Sequence, residues 1–308
     1  IIAWGSNVPQ TRTPDAHFFV EARYNGTKVV AITPDYAEVA KLSDLWLHPK
    51  QGTDAALAMA MGHVVLKEFF LDRQVPYFED YTRRYTDMPM LVRLRKDGKR
   101  WVPDRYVRQS DLVGAPSGGR ADWKTVAVGE DSGDLVVPQG SIGYRWPKDG
   151  EPAGRWNLED KDGETGATVK LALSLIDRRD DAVPVAFPYF GGTTHERFPE
   201  NDQGGDVLVR QVPVRKVSLA DGEARVATVF DLMCAHYGLD RGLGGAVAKG
   251  YDDNVPYTPA WQEKITGVSA AQAITLAREF ATNAEKTKGR SMVIIGAGMN
   301  HWYHQDMN

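Results

Sequence analysis

Short apolar runs that stop at small or polar residues alternate, at both ends of the chain, with stretches whose apolar positions recur at helical spacing. Ile1-Ile2-Ala3-Trp4 halts at Gly5-Ser6-Asn7, which reads as a buried strand ending in a loop, although Gly, Ser and Asn also make ordinary tight turns. Pro14 to Tyr24 carries Ala16, Phe18, Phe19 and Ala22, a helix of about three turns with Thr13 as a possible N-cap and Pro14 in its first position. Lys28-Val29-Val30-Ala31-Ile32 is a second strand, and Thr33-Pro34-Asp35 after it has the form of a helix start, with Thr33 as cap. A short helix through Ala37, Val39, Ala40 and Leu42 leads to a third strand, Leu45-Trp46-Leu47. Beyond the loop His48 to Asp54, where Thr53 or Asp54 can cap, Ala55 to Met61 is apolar nearly all round and is expected to be buried.

Three strand-and-helix units in so short a span predict a parallel sheet, because parallel neighbours need crossover connections. From Pro89 the pattern changes. Short runs such as Leu91-Val92, Trp101-Val102 and Leu135-Val136-Val137 are punctuated by the hairpin signals Asp97-Gly98, Asp162-Gly163 and Asp221-Gly222. Helical spacing returns at Thr258-Pro259, and Ser269 with Gln272 has capping-box spacing. Arg290 to Ile295 is then a fourth strand, ending at Gly296-Ala297-Gly298. The expected architecture is α/β: a parallel-sheet, Rossmann-like domain, residues 1–88, a β-rich irregular insertion, 89–250, and a return to the first domain, 251–308.

Composition narrows the function classes. A length of 308 residues suits two units or one with a large insertion, and 42% hydrophobic residues suffice for a sizeable core. A net charge of −4 without a long single-sign block gives no footprint for nucleic acid. No apolar run approaches the roughly 18 residues of a membrane span. Cys234 is the single cysteine, so a disulfide or a cysteine-ligated cluster cannot be assembled from this chain. Both ends look cut through a fold, as in an internal piece of a longer polypeptide. His195 and His236 are isolated, and His17 and His63 sit in helical patterns as structural residues.

Four strand ends thus carry polar or glycine-rich loops, which suits one extended ligand across a sheet edge. Glycine lets a backbone approach phosphate, and helix N-termini favour anionic oxygens. Asp54 has the acceptor pair for the N1–H and exocyclic amine of guanine, Asp35 suits ribose hydroxyls, and Lys50 and Gln51 suit a base edge or phosphate. A nicotinamide dinucleotide fits less well, since Gly5-Ser6-Asn7 lacks the later glycines of its fingerprint and His301 stands where Gly296-Ala297-Gly298 would need a third.

Longer motifs carry a resemblance. Ile2 to Asn7, Lys28 to Pro34, Gly52-Thr53-Asp54-Ala55-Ala56 and Ile265-Thr266-Gly267-Val268, in this order, resemble the molybdopterin oxidoreductase family. Asn7 to His17, Arg84-Tyr85-Thr86-Asp87-Met88-Pro89 and Gly296 to His304 resemble one branch of it, the catalytic alpha subunits of membrane-bound respiratory nitrate reductases. The resemblance implies reduction of nitrate to nitrite at a bis(molybdopterin guanine dinucleotide) molybdenum centre, with a four-iron four-sulfur cluster in the complete subunit. It further implies an iron–sulfur beta subunit and a haem-b gamma subunit as partners, at the cytoplasmic face of the cell membrane. Trp4, Gly5, Ser6, Asn7, Thr33, Asp35, Gln51, Gly52 and Asp54 then hold a guanine nucleotide and its phosphates, while Gly298, Asn300, His301 and His304 lie near pterin. For the two histidines the alternative is a surface or packing role.

In such subunits the molybdenum and iron–sulfur ligands lie upstream of the residue matching Ile1, so the chain alone is expected to be inactive. Two other classes stay open: a related molybdenum enzyme of the chlorate or selenate reductase or formate dehydrogenase type, and a non-catalytic nucleotide-binding module. An upstream aspartate ligand favours nitrate reductase; cysteine, selenocysteine or serine favours the others.

Overall fold

The computed structural model describes residues 1–116, 118–139, 161–189 and 207–301. In chain order its elements are β1 (Ile2–Trp4), α1 (Val8–Thr11), α2 (Thr13–Tyr24), β2 (Val30–Ile32), α3 (Glu38–Lys41), β3 (Leu45–Leu47), α4 (Asp54–Val65) and α5 (Pro76–Tyr85). There follow β4 (Leu91–Asp97), β5 (Arg100–Tyr106), β6 (Ala127–Val128), β7 (Leu135–Val136), β8 (Asp181–Pro188), β9 (Val207–Leu219), β10 (Gly222–Thr228) and α6 (Val229–His236). The described chain closes with α7 (Pro259–Thr266), α8 (Ala270–Thr287), β11 (Val293–Ile295) and α9 (Ala297–Asn300). Two compact units result, one from residues 1–72 and 248–301, the other from the described residues between 73 and 247.

The first unit is a four-stranded sheet in the order β11-β1-β2-β3, parallel throughout, with Ala3 opposite Ile294 on one side and Ala31 on the other. Successive strand residues face opposite sides, and both sides are covered. Ile2, Trp4, Val30, Ile32 and Leu47 pack with Leu57 of α4 and Ala273 and Leu276 of α8. Ala3 and Ala31 pack with Val8 of α1, Phe19 of α2, and Val39 and Ala40 of α3. Burial on both faces of β1 and β2 explains why those strands read as unbroken apolar runs, whereas Val293 and Ile295 of β11 are exposed.

Local signals at the far end form as expected. Thr258 caps α7 by accepting from Trp261 N–H, and Ser269 with Gln272 closes a capping box on α8. Ala273, Leu276 and Ala277 are the buried face of α8. Other helix starts differ. Thr13 lies inside α2 and gives its hydroxyl to Gln10 O. No helix opens at Thr33, whose hydroxyl donates to Asp35; the next helix, α3, starts at Glu38 with Ala37 as cap. Thr53 is the N-cap residue of α4, but its hydroxyl donates to Lys50 O instead of accepting from the helix. α4 is also only half enclosed: Ala56, Leu57, Ala60, His63 and Val64 are buried while Ala58 is exposed.

In the second unit the region expected to be irregular and β-rich holds a closed barrel, in the order β10-β4-β5-β8-β9. Asp97-Gly98 makes the β4–β5 hairpin and Asp221-Gly222 the β9–β10 hairpin. Asp162-Gly163 instead makes a turn beside the isolated Lys161–Thr168 bridge. Between the pairs Val92–Tyr106 and Leu94–Pro103 the register slips by one residue, which puts the extra residue of a bulge on β5, of the kind that bends a strand where a sheet closes. Helix α5 belongs to this unit, with Arg83 donating to Leu171 O and Phe78 edge-on to Phe230. The first unit thus runs to residue 72, and α5 groups with the second. His195 lies outside the described residues, and His236 stacks on Phe187 at 5.0 Å.

Candidate functional site

The sheet leaves β1 towards β2 and β3 on one side, and β11 is added on the other. Adjacent strands whose connections depart in opposite directions leave a crevice beyond their carboxyl ends. Here those ends are Gly5-Ser6 after β1 and Gly296 to Met299 after β11.

The two ends touch. Gly296 N–H donates to Trp4 O and Gly298 N–H to Gly5 O, each at 3.1 Å. A Cβ on Gly296 would stand 2.5 Å from Gly5 O and 2.6 Å from Ser6 Cβ, and one on Gly298 would stand 2.9 Å from Gly5 O. Gly5 has a left-handed φ of 56°, which glycine adopts without the cost other residues incur. The glycines after β11 therefore serve first to let two backbones meet.

Ser6 is buried, and its Oγ has no hydrogen-bond partner among the described residues. A buried hydroxyl without a partner is costly, so an orphan at a strand end marks a place where a bound polar group would be stabilised. Asn7, next in line, is already engaged: its Oδ1 accepts from Val39 N–H and its Nδ2 donates to Gln10. It holds the start of α3 against the loop.

Trp4 and Asp54, fifty residues apart, are joined by a 2.7 Å bond from the indole N–H to the carboxylate. Trp4 is buried and Asp54 half-buried. Asp54 lies in the first turn of α4, where a negative charge suits the helix dipole, but it makes no capping bond. At the end of β2, Thr33 gives its N–H to Leu47 O, accepts the Trp46 indole N–H on its carbonyl, and donates its hydroxyl to Asp35 at 2.7 Å. Thr33 is thus a buried strut that orients Asp35. Gln51 and Gly52 are exposed, and Gly52, at φ 74°, has open space where a side chain would stand.

Trp4, Gly5, Ser6, Gly298 and Asp54 are therefore brought into one connected set at the ends of β1 and β11, with Thr33 and Asp35 at the end of the neighbouring β2. His301 is exposed just after α9. Asn300 is the last residue of that helix, and His304 lies outside the described residues. One further group reaches this edge: Arg12 donates through Nη2 to Ile295 O at 3.2 Å. The available signal was a lone arginine between the first strand-end loop and its helix, a position suited to an anionic ligand. Among the described residues no cluster of three or more His, Cys, Asp or Glu side chains is placed to hold a metal ion.

A parallel sheet covered on both faces, with an orphaned hydroxyl and glycine-lined ends at one edge, is a scaffold for an extended polar cofactor. The chain belongs to the molybdopterin oxidoreductase family, whose sequence model matches residues 1–308. It is 58% identical over 311 residues to the respiratory nitrate reductase 1 alpha chain of Escherichia coli (strain K12), covering 100% of this chain and 24% of that one. To the nitrate reductase alpha chain of Bacillus subtilis (strain 168) it is 45% identical over 310 residues, 99% of this chain and 24% of that one. To the perchlorate reductase subunit alpha of Dechloromonas aromatica (strain RCB) it is 33% identical over 308 residues, 100% of this chain and 26% of that one. The chain thus spans about a quarter of the length of the curated relatives it matches. Among the described residues no helix is long and apolar enough to cross a membrane.

Proposed function

We propose that this chain is a cofactor-holding part of a respiratory nitrate reductase alpha subunit, in which nitrate is reduced to nitrite. The observation that carries the reading is full-length identity of 58% to a nitrate reductase alpha chain, against 33% to a perchlorate reductase subunit. The strand order supports a Rossmann-like half-sheet with its switch point between β1 and β11. The cofactor is bis(molybdopterin guanine dinucleotide) molybdenum, which supplies the two-electron oxygen-atom exchange with nitrate when bound. The complete subunit carries a four-iron four-sulfur cluster and works with iron–sulfur and haem-b subunits at the cytoplasmic face of the membrane.

The residues of this chain bind and orient. Ser6 Oγ offers its unused hydrogen-bonding capacity to a cofactor oxygen or nitrogen. Gly5, Gly298 and Gly52 leave backbone accessible where a side chain would intrude. Asp54, fixed on one side by the Trp4 indole, presents its other oxygen to the guanine base; Asp35, held by Thr33, meets ribose hydroxyls; Gln51 borders the same nucleotide. Asn7 acts by keeping the loop on α3. Asn300, His301 and His304 line the pterin end, where a histidine donor to a ring nitrogen would bias its electronics.

Two experiments test the reading. In the full-length purified enzyme, viologen-linked reduction of nitrate, perchlorate, selenate and chlorate is compared at equal molybdenum content; a kcat/KM for nitrate below that for perchlorate or selenate overturns the substrate assignment. In the same protein Asp54→Asn keeps an acceptor for Trp4 but exchanges the other acceptor for an amine facing the base. Acid-released GMP and molybdenum per polypeptide are expected to fall severalfold, and full retention of both removes Asp54 from guanine recognition.

A further inference from the structure

The motif Ile265-Thr266-Gly267-Val268 lies away from every strand end, at the close of α7. It is built around a ring of buried polar groups. Thr266 donates its hydroxyl to Gln262 Oε1 at 2.7 Å, Gln262 Nε2 donates to Val268 O at 2.8 Å, and Val268 N–H donates to Thr266 Oγ1 at 2.9 Å. Gln262 and Thr266 are both fully buried. Polar side chains in a core are costly unless satisfied, and a satisfied network holds one conformation against others. Here that conformation is the turn in which Gly267 takes a left-handed φ of 79°, after which Val268 enters the core with Leu47 and Leu57.

Leu47 ends β3 and Leu57 lies in α4, so the two bracket the segment that carries Gln51, Gly52 and Asp54. The ring reaches this segment through the backbone. A helix leaves its last carbonyls without partners of its own, and that of Thr266 accepts Lys50 N–H at 2.9 Å. Lys50 O in turn accepts the Thr53 N–H at 3.2 Å and the Thr53 hydroxyl at 2.6 Å. Asp54 follows, with one oxygen taken by the Trp4 indole. Lys50 is therefore a joint, its N–H fixed on the end of α7 and its carbonyl on the N-cap residue of α4. Gln51 and Gly52 are exposed between these anchors, so their place depends on where Lys50 is held.

We propose that Gln262 and Thr266 are positioning residues for the nucleotide: their ring places the Thr266 carbonyl, which places Lys50 and through it the segment from Gln51 to Asp54 against the guanine base. The inference rests on the guanine reading of Asp54 proposed above. A ring that served only to end α7 would loosen the helix when broken and leave nucleotide retention unchanged.

The test uses the full-length purified enzyme carrying Thr266→Val, which keeps the shape but removes the hydroxyl, beside Thr266→Ser, which keeps the hydroxyl. Spontaneous loss of bound nucleotide is followed as the GMP that acid still releases from the protein fraction over time. Loss is expected to be roughly tenfold faster in Thr266→Val, the ratio for leaving buried hydrogen-bonding groups unpaired, and to return to the unsubstituted rate in Thr266→Ser. Unchanged loss in Thr266→Val while Asp54→Asn accelerates it overturns the positioning role and leaves the guanine reading standing. Unchanged loss in both variants overturns both. Equal acceleration in Thr266→Val and Thr266→Ser also overturns the positioning role, since the methyl group rather than the ring is then responsible. A measurement on the unsubstituted enzyme needs neither variant to fold: in residue-resolved hydrogen–deuterium exchange the Lys50 amide is expected to exchange as slowly as that of Gly267, and exchange at the rate of the Gln51 amide overturns the coupling to α7.

Discussion

Gly296→Ala isolates the meeting of β1 and β11. The residue has φ −113° and ψ −178°, extended values that alanine adopts freely, so any effect comes from contact rather than backbone strain. The new Cβ would lie 2.5 Å from Gly5 O and from Ser6 Cα, and 2.6 Å from Ser6 Cβ. None of these atoms is the end of a flexible side chain, so β11 must move. Overpacking of a close-packed interior costs about 1–3 kcal/mol. The bonds from Gly296 and Gly298 to Trp4 O and Gly5 O lengthen as the strand shifts, at about 1 kcal/mol each. Against this, alanine restricts the unfolded chain and returns about 0.4–1 kcal/mol. The net loss is about 2–4.6 kcal/mol of local stability, or roughly 30- to 2000-fold faster amide exchange through opening of the sheet. The assay is hydrogen–deuterium exchange in the full-length protein, following peptides over β1 and β11, because a local readout does not require two-state unfolding. Gly26→Ala is the control: φ is 85° with no neighbour within 4 Å, so its cost stays local to the turn after α2. Exchange at β1 in Gly296→Ala within about threefold of the unsubstituted protein, well under 1 kcal/mol, would refute the close-approach account.

Asp231 is fully buried and accepts from Ser174 Oγ, Leu175 N–H and Arg241 Nη1, the last at 2.7 Å. Asp231→Ala strands the buried Arg241 and is expected to destabilise the second unit by about 3–5 kcal/mol, whereas Glu38→Ala, which removes the exposed pair with Lys41, is expected to leave stability nearly unchanged; comparable losses in protease-resistance measurements would contradict this ranking. Cys234 is fully buried and burial pushes its thiol up to about 12, so maleimide is expected to label it only after denaturation; labelling of the native protein at the rate of a free thiol would show that α6 opens. The chain of 308 residues alone is expected to give no viologen-linked nitrite above a cofactor-free control, since it spans about a quarter of the length of the nitrate reductase alpha chains it matches; measurable turnover would mean that the rest of the proposed subunit is dispensable.

Residues that make their structure with near neighbours were legible in the sequence. Ser269 and Gln272 form a capping box three residues apart, Thr258 precedes its helix, and Asp97-Gly98 turns between two strands. The runs of β1 and β2 read as parallel strands because burial on both faces leaves no polar alternation to hide them, and the apolar runs of β3 and β11 continued the pattern although Val293 and Ile295 of β11 are exposed. Thr33 and Thr53 misled for the same local reason: a threonine before a helix pattern has the composition of a cap, yet its hydroxyl takes whichever acceptor the fold places nearest, here Asp35 and Lys50 O.

Contacts between distant residues were not legible. Spacing does not announce that Trp4 and Asp54 share a proton donor and acceptor, that Arg12 reaches Ile295, or that the glycines after β11 are there to clear Gly5 and Ser6. In the sequence those glycines read as places where backbone can approach a ligand; one small residue can serve that and a close approach of two strands, and only the neighbouring backbone reveals the second. The scattered strands of the middle region gave hairpins but no closure, because the pairing of β4 with β10 joins residues more than a hundred positions apart. Periodicity reports which face of an element is apolar; which other element covers that face is settled by packing of the whole chain, and the orphaned Ser6 hydroxyl becomes visible only after that packing is complete.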